Sequence, residues 1–381
     1  MRSSSGSTTT SNSLAAPSKF PARIAVVFGG GGLKGFAHIG VLRALSERGI
    51  RPTLMAGTSI GSLIAAAYAG GMSIEELEAR AIALRQRDLF RIDHLHMITQ
   101  RMRAPALYLG GPLENIIREI VPPCTFEELE MPLLVNTVDL ERAAQVIWGL
   151  RGFRDVPIAD AVYASCALPG FFPPRVIKRR TLVDGGVMDN IPAQIAAAGM
   201  DAVIAVDVGS TSLATARHIR EQGFAAIYMR AAQTMMRSLQ SSQLSSWAGP
   251  PLLLVRPPVW KYSWFSFQHT RRIIQHGYES AVDALDRAGD SLLSAGGVYP
   301  RRPVELMVDR EKCTGCRLCA TLAPDVMAMG DDGLAYVTQR PVEWSRADGD
   351  FVPQCPTHAI TVHIVQDDGR LLKMEHQIES D

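Results

Sequence analysis

The stretch Arg23-Ile24-Ala25-Val26-Val27-Phe28-Gly29-Gly30-Gly31-Gly32-Leu33-Lys34-Gly35 is an apolar, β-branched run that stops in four glycines. It predicts a buried strand entering a tight loop. Outward from it, Ile39, Leu42 and Leu45 recur at helical spacing until Gly49. Residues 53–57 read as a second strand, 59–68 as a helix of small residues and 74–85 as an amphipathic helix. Further strands are predicted at 132–140, 144–150, 176–183 (crossing a basic Lys178-Arg179-Arg180 turn) and 202–208, with a helix over 191–198. Helical spacing dominates 213–245 and 270–288. Strands alternating with helices predict an α/β layered fold with a mainly parallel sheet. No internal repeat is present.

The chain has 381 residues, 47% of them hydrophobic, enough for one large core and a smaller second domain. The expected division is a Ser/Thr-rich tail over 1–21, a body over 22–287, a linker over 288–303, a cysteine-bearing domain over 304–365 and a polar tail over 366–381. The first segment lacks the apolar stretch of a signal peptide. No run of about 18 apolar residues exists, so membrane contact would be peripheral. The net charge of +1 gives no sign of a nucleic-acid partner. It is unevenly spread: residues 304–381 hold 7 Lys+Arg against 14 Asp+Glu, and the rest 32 against 24. A basic body beside an acidic end domain points to mutual docking or to an anionic surface, and equally to two solvated faces.

Three motifs carry chemistry. Gly57-Thr58-Ser59-Ile60-Gly61 has Gly-x-Ser-x-Gly spacing, in which flanking glycines let a strand turn sharply into a helix and expose the serine. Gly30-Gly31-Gly32-Leu33-Lys34-Gly35 also fits a dinucleotide loop. That reading needs an acidic residue after the second strand, where this chain delivers Ser59, so no nucleotide cofactor is expected. Bare glycine N–H groups suit an oxyanion hole instead. Asp184-Gly185-Gly186 follows an apolar strand and reads as an active-site loop or a plain turn.

In this order the three motifs resemble the patatin-like phospholipase family over about residues 22–285, as do Trp264-Phe265-Ser266-Phe267 and Gly277-Tyr278. The resemblance implies a three-layer α/β/α sandwich and a Ser–Asp dyad without histidine. It makes Ser59 the nucleophile, Asp184 the base, and Gly30, Gly31 and Gly32 the oxyanion hole. Lys34, Gly35, Gly57, Gly61, Gly185 and Gly186 are then supporting residues, with Lys34 standing where the family often has arginine. A dyad requires burial to raise the basicity of Asp184 above the ordinary aspartate value of about 3.9, or a role on the developing charge. The competing arrangement is a Ser–Asp–His triad, for which His218, His269 and His276 are candidates. His38 reads as a packing residue. The aromatic segment 260–267 reads as core, or as a lip that dips into lipid, with Arg271 and Arg272 near lipid phosphates or on a solvated helix face.

Four of six cysteines fall in Cys313-Thr314-Gly315-Cys316-Arg317-Leu318-Cys319 and Cys355-Pro356. These spacings suit an iron–sulfur cube better than paired zinc knuckles. Cys124 and Cys166 stand apart and read as small buried hydrophobes. The region resembles single-cluster bacterial ferredoxins, with Ala323-Pro324-Asp325, Asp331-Asp332-Gly333 and Ala359-Ile360. That implies a small α+β ferredoxin-like domain with one [4Fe–4S] cluster on Cys313, Cys316, Cys319 and Cys355. The combined expectation is a cytoplasmic serine lipid acyl hydrolase of phospholipase A or lysophospholipase type. It would act on lipid or phospholipid, sit peripherally on an anionic inner membrane face, and carry a redox or regulatory module that meets a redox partner protein. The other reading is an electron-transfer protein whose body only binds lipid; the intact Ser59 and Asp184 favour the enzyme.

Overall fold

The computed structural model describes residues 20–89, 106–209, 219–245, 247, 249–288, 302–339, 342–344, 351–352, 355–365 and 371–373. The expected N-terminal tail, the linker and His218 lie almost wholly outside them. The body opens with β1 (Ile24–Phe28), a 3-10 turn (Gly32–Phe36) and α1 (Ala37–Glu47). Next come β2 (Leu54–Thr58), α2 (Ile60–Ala69), α3 (Ile74–Ala83), α4 (Gln86–Leu89) and α5 (Gly110–Ile120). A hairpin of β3 (Leu133–Asp139) and β4 (Ala144–Trp148) leads to α6 (Ile158–Cys166) and to a second hairpin, β5 (Arg175–Ile177) and β6 (Arg180–Asp184). The body closes with α7 (Ala193–Ala196), β7 (Ala202–Val206), α8 (Gly223–Ser245), β8 (Leu252–Val255) and α9 (Thr270–Ala288).

The sheet order is β5-β6-β3-β2-β1-β7-β8, with β4 also on β3. The run from β3 to β8 is parallel, while β4, β5 and β6 join antiparallel. Both faces are covered. Ile24, Val26 and Phe28 of β1 enter one core cluster, and Ala25 and Val27 enter another. That division explains why β1 and β7 read as unbroken apolar runs rather than alternating ones. The sandwich thus has three layers, with strands ending in loops at the carboxyl edge where α/β sheets place their ligands.

Two sequence assignments change. Residues 176–183 are not one strand but the two-residue hairpin β5–β6, in which Lys178 and Arg179 both take positive φ (47° and 61°). The basic turn read at Lys178-Arg179-Arg180 is thus present, but it reverses the chain into a hairpin although such turns usually carry Asn-Gly. The helix expected over 191–198 shortens to α7.

Helices α1 and α9 cross backbone to backbone. A Cβ on Gly40 would sit 1.9 Å from the Ile274 carbonyl oxygen, and one on Gly277 1.9 Å from that of Ala37. This contact accounts for Gly277 in structural terms. Gly277→Ala is expected to cost at least about 3 kcal/mol, at the upper end for overpacking, because two rigid backbones must separate. Chemical denaturation measures it.

The C-terminal unit has its own core, including Leu306, Met327, Phe351, Ile360 and Val362. It comprises β9 (Arg302–Val308), α10 (Leu318–Leu322), β10 (Met327–Met329), β11 (Ala335–Val337), β12 (Val342–Trp344), β13 (Ile360–Val365) and β14 (Leu371–Lys373). Its main sheet is antiparallel in the order β12-β9-β13-β14. Strand β14 lies within the stretch read from sequence as a polar tail.

Candidate active site and cluster site

Strand register brings the serine and the aspartate together. Asn136 of β3 pairs with Thr58 of β2, and the next residue, Thr137, pairs with Asp184 of β6. Ser59 follows Thr58 at the start of α2 with φ 54° and ψ −130°. Such a backbone costs a non-glycine residue about 1–3 kcal/mol. The surroundings enforce it. A Cβ on Gly57 would lie 2.5 Å from the Gly61 carbonyl carbon, and one on Gly61 2.3 Å from the Phe28 oxygen. Ser59 N–H donates to Ser165 Oγ at 2.8 Å, and Ser165 Oγ donates to the Asn136 carbonyl at 2.7 Å. Ser62 Oγ holds the Ser59 carbonyl at 2.7 Å.

Asp184 is buried, lies by the Ser59 hydroxyl and accepts a hydrogen bond at 2.8 Å from Gly186 N–H. Burial pushes its carboxyl up to about 6, although the Ser59 hydroxyl and Gly186 N–H oppose the rise. Gly185 is needed because a Cβ there would meet the Asn136 side chain at 2.4 Å.

The glycine loop faces this pair. A Cβ on Gly30 would come within 3.1 Å of Ser59 Cβ and 2.7 Å of Asn190 Oδ1. Gly30 is held from both sides by Asn190, its N–H reaching the Asn190 carbonyl at 3.4 Å and its carbonyl accepting from Asn190 Nδ2 at 3.2 Å. The N–H groups of Gly31 and Gly32 have no acceptor among the described residues. Gly35 makes room for Ile60, whose side chain would be 2.2 Å from a Cβ there. Lys34 is buried with its ammonium 5.8 Å from the Trp264 ring centroid. Burial lowers it to about 8, partly offset by Asp207. Sequence reasoning missed Asn190, whose only signal was its place in the loop that follows Asp184.

No histidine lines this site among the described residues. His38 stacks on Phe28 at 4.4 Å and reaches the Gly29 carbonyl through Nε2 at 2.8 Å; burial lowers it to about 4. His276 contacts Tyr262 Oη at 3.2 Å, and His269 lies against the same ring at 5.2 Å.

From Ser59 and Asp184 a cavity of about 130 Å³ runs between α2, α3 and α5. Leu63, Leu77, Leu84, Leu113, Ile116 and Ile120 form much of its wall. Trp264, Phe265 and Met236 also line it. Segment 260–267 is thus divided: Trp264 clamps the glycine loop, its carbonyl accepting Leu33 N–H at 2.9 Å, whereas Trp260 is exposed. Cys166, read from sequence as a small buried hydrophobe, lines the cavity near Ser62. Burial, then the nearby Asp184, pushes its thiol far up, so it is no nucleophile.

Residues 26–197 match the family model of patatin-like phospholipases, and residues 308–362 match that of the 4Fe-4S single cluster domain of ferredoxin I. The chain carries a patatin-like phospholipase domain joined to a single-cluster ferredoxin domain. Its patatin-like part is 34% identical over 196 residues to an uncharacterized NTE family protein of Mycobacterium tuberculosis, covering 51% of each chain. It is 35% identical over 190 residues to patatin-like phospholipase domain-containing protein 6 of Homo sapiens, covering 49% of this chain and 13% of that one. The chain therefore spans about half the length, or less, of these relatives. Among solved structures, VipD from Legionella pneumophila is similar at a TM-score of 0.38 and 17% identity, over 71% of this chain and 67% of that one.

In the ferredoxin domain Cys313, Cys316, Cys319 and Cys355 all line one small cavity of about 20 Å³. Burial alone would raise the Cys355 thiol, yet backbone N–H groups of Thr357, Ala359 and Ile360 hold it below the usual value. Ala359 N–H donates to Cys355 Sγ at 3.3 Å, and Thr357 Oγ1 lies 3.7 Å away. These donors favour a thiolate, the form that binds metal. Among the described residues no three ligands stand close enough to hold a single metal ion. Also among the described residues, no helix is long and apolar enough to cross a membrane.

Proposed function

We propose that the chain hydrolyses acyl ester bonds of lipids through Ser59 and Asp184, as a phospholipase A or lysophospholipase-like esterase. The carrying observation is that Ser59 and a buried aspartate of raised basicity share the head of an apolar cavity. The acyl chain of the substrate fills that cavity and sets its carbonyl at Ser59. Ser59 Oγ attacks the carbonyl carbon while its proton passes to Asp184. The oxyanion takes the N–H groups of Gly30, Gly31 and Gly32, of which those of Gly31 and Gly32 have no acceptor among the described residues and Gly30 is set against Ser59 by Asn190. As the C–O bond to the leaving alcohol breaks, Asp184 returns the proton to that alcohol. Water, deprotonated by Asp184, then attacks the acyl–Ser59 ester and frees the fatty acid.

The body over 22–287 and the ferredoxin-like domain over 304–365 divide the labour. The four cysteines hold one [4Fe–4S] cluster, which supplies one-electron redox chemistry when bound. Ester hydrolysis transfers no electrons, so this module serves as a regulatory switch, as a dock for a redox partner or as a structural staple. That the names of similar proteins include phospholipase domains supports the hydrolase reading.

The pH profile tests it. A base must be ionised, so kcat/KM on an acyl ester should fall on the acid side with an apparent pKa of about 6, the raised value of Asp184. A limb at the ordinary aspartate value of about 4, or none, would remove Asp184 as the base.

A further inference from the structure

The mouth of the cavity carries an apolar surface that catalysis does not use. Met236 of α8 and Trp264 and Phe265 line the cavity, and Met236 Cε comes within 3.0 Å of a Cβ placed on Gly186. Helix α8 therefore lies over the Asp184 loop. On another side of it Ile227, Met235 and Leu239 are exposed, with Met235 at 59%. Ile227, Ala231, Met235 and Leu239 are four residues apart and share one side of the helix, and all are exposed. Trp260 and Phe265 are exposed on the neighbouring loop.

Charge identifies what covers this surface. Residues 222–278 contain six Lys or Arg and no Asp or Glu. Of these, Lys261, Arg271 and Arg272 are exposed. We infer that α8 and the 260–272 segment form one docking surface for an anionic lipid bilayer, seating the cavity mouth directly on its substrate. The inference rests on the hydrolase reading for the identity of that substrate. A bilayer accepts an apolar stripe and draws in the cations around it. A second copy of the same face would bring like charges together across a two-fold axis, which association disfavours.

The test uses the full chain carrying Ser59→Ala, so that binding is separated from turnover. It is co-sedimented with phosphatidylcholine vesicles, with or without phosphatidylglycerol. Binding should strengthen with phosphatidylglycerol and weaken with salt. Lys261→Glu reverses one charge and should lower partitioning on the order of thirtyfold. Met235→Glu should lower it at least about tenfold. In the chain with intact Ser59, both variants should hydrolyse a soluble, monomeric ester at the wild-type rate. Equal binding to both vesicle types overturns the docking surface, as does binding that neither substitution changes. A shift of oligomeric state in the variants, with vesicle binding intact, assigns the stripe to self-association and overturns it too. If vesicle binding behaves as stated but no ester is cleaved, the hydrolase reading fails and the docking surface stands.

Discussion

Ser59→Ala should lower acyl ester turnover by at least about 10⁴-fold, and Asp184→Asn by a comparable factor, with the double variant little worse than either. The losses do not add because one residue supplies the nucleophile and the other receives its proton. The aspartate variant should also be more stable than wild type. Asp184 is raised from 3.8 to about 6, so the folded chain favours the neutral acid. The resulting penalty on folding is absent below pH 3.8, grows toward pH 6 and is constant above it. At neutral pH it amounts to at most about 3 kcal/mol, and asparagine removes it while still accepting Gly186 N–H. Denaturant unfolding at pH 7 and near pH 3 should therefore show a gain at the first and none at the second. Lost activity with a stabilised fold separates a chemical role from a structural one. Asp184→Asn with near wild-type turnover would take aspartate out of the mechanism.

Cys355→Ser should abolish the cluster. Anaerobically prepared wild type should be brown, with about four irons and four sulfides per chain, and the variant should lose most of both. No other thiol substitutes, because Cys124 and Cys166 pack against the core of the patatin-like body. Cys319 and Cys355 are themselves buried in the small C-terminal core. Ligand binding there is also folding free energy, so the variant should become protease-sensitive across the ferredoxin domain while the body stays intact. A variant retaining four irons would show that the fourth ligand lies elsewhere.

Much of the site was legible because steric necessity writes itself into glycine. Gly57 and Gly61 flank Ser59 since any side chain there would strike backbone. Gly185 beside Asp184 has the same cause. The parallel sheet was legible from β1 and β7, which must be apolar on both faces. What long-range pairing decides was not. Nothing local shows that Asn136 and Thr137 bring residues 59 and 184 together, or that Asn190 holds Gly30 from both sides. Helix α5 supplies much of the cavity wall, yet it begins Gly110-Gly111-Pro112, a sequence that reads as a turn although proline is tolerated in a first helical turn. Cys166 looked inert by composition and is inert by burial, but its place on the cavity wall depends on α6 packing against α2.

The central claim is that Ser59 carries the acyl group during turnover. The direct measurement is acid-quenched single turnover on an acyl ester, followed by mass mapping of the peptides. An acyl adduct on the peptide bearing Ser59, absent in Ser59→Ala, is the expected result. Hydrolysis with no adduct in wild type, or an adduct on Cys166 or any other residue, would contradict it.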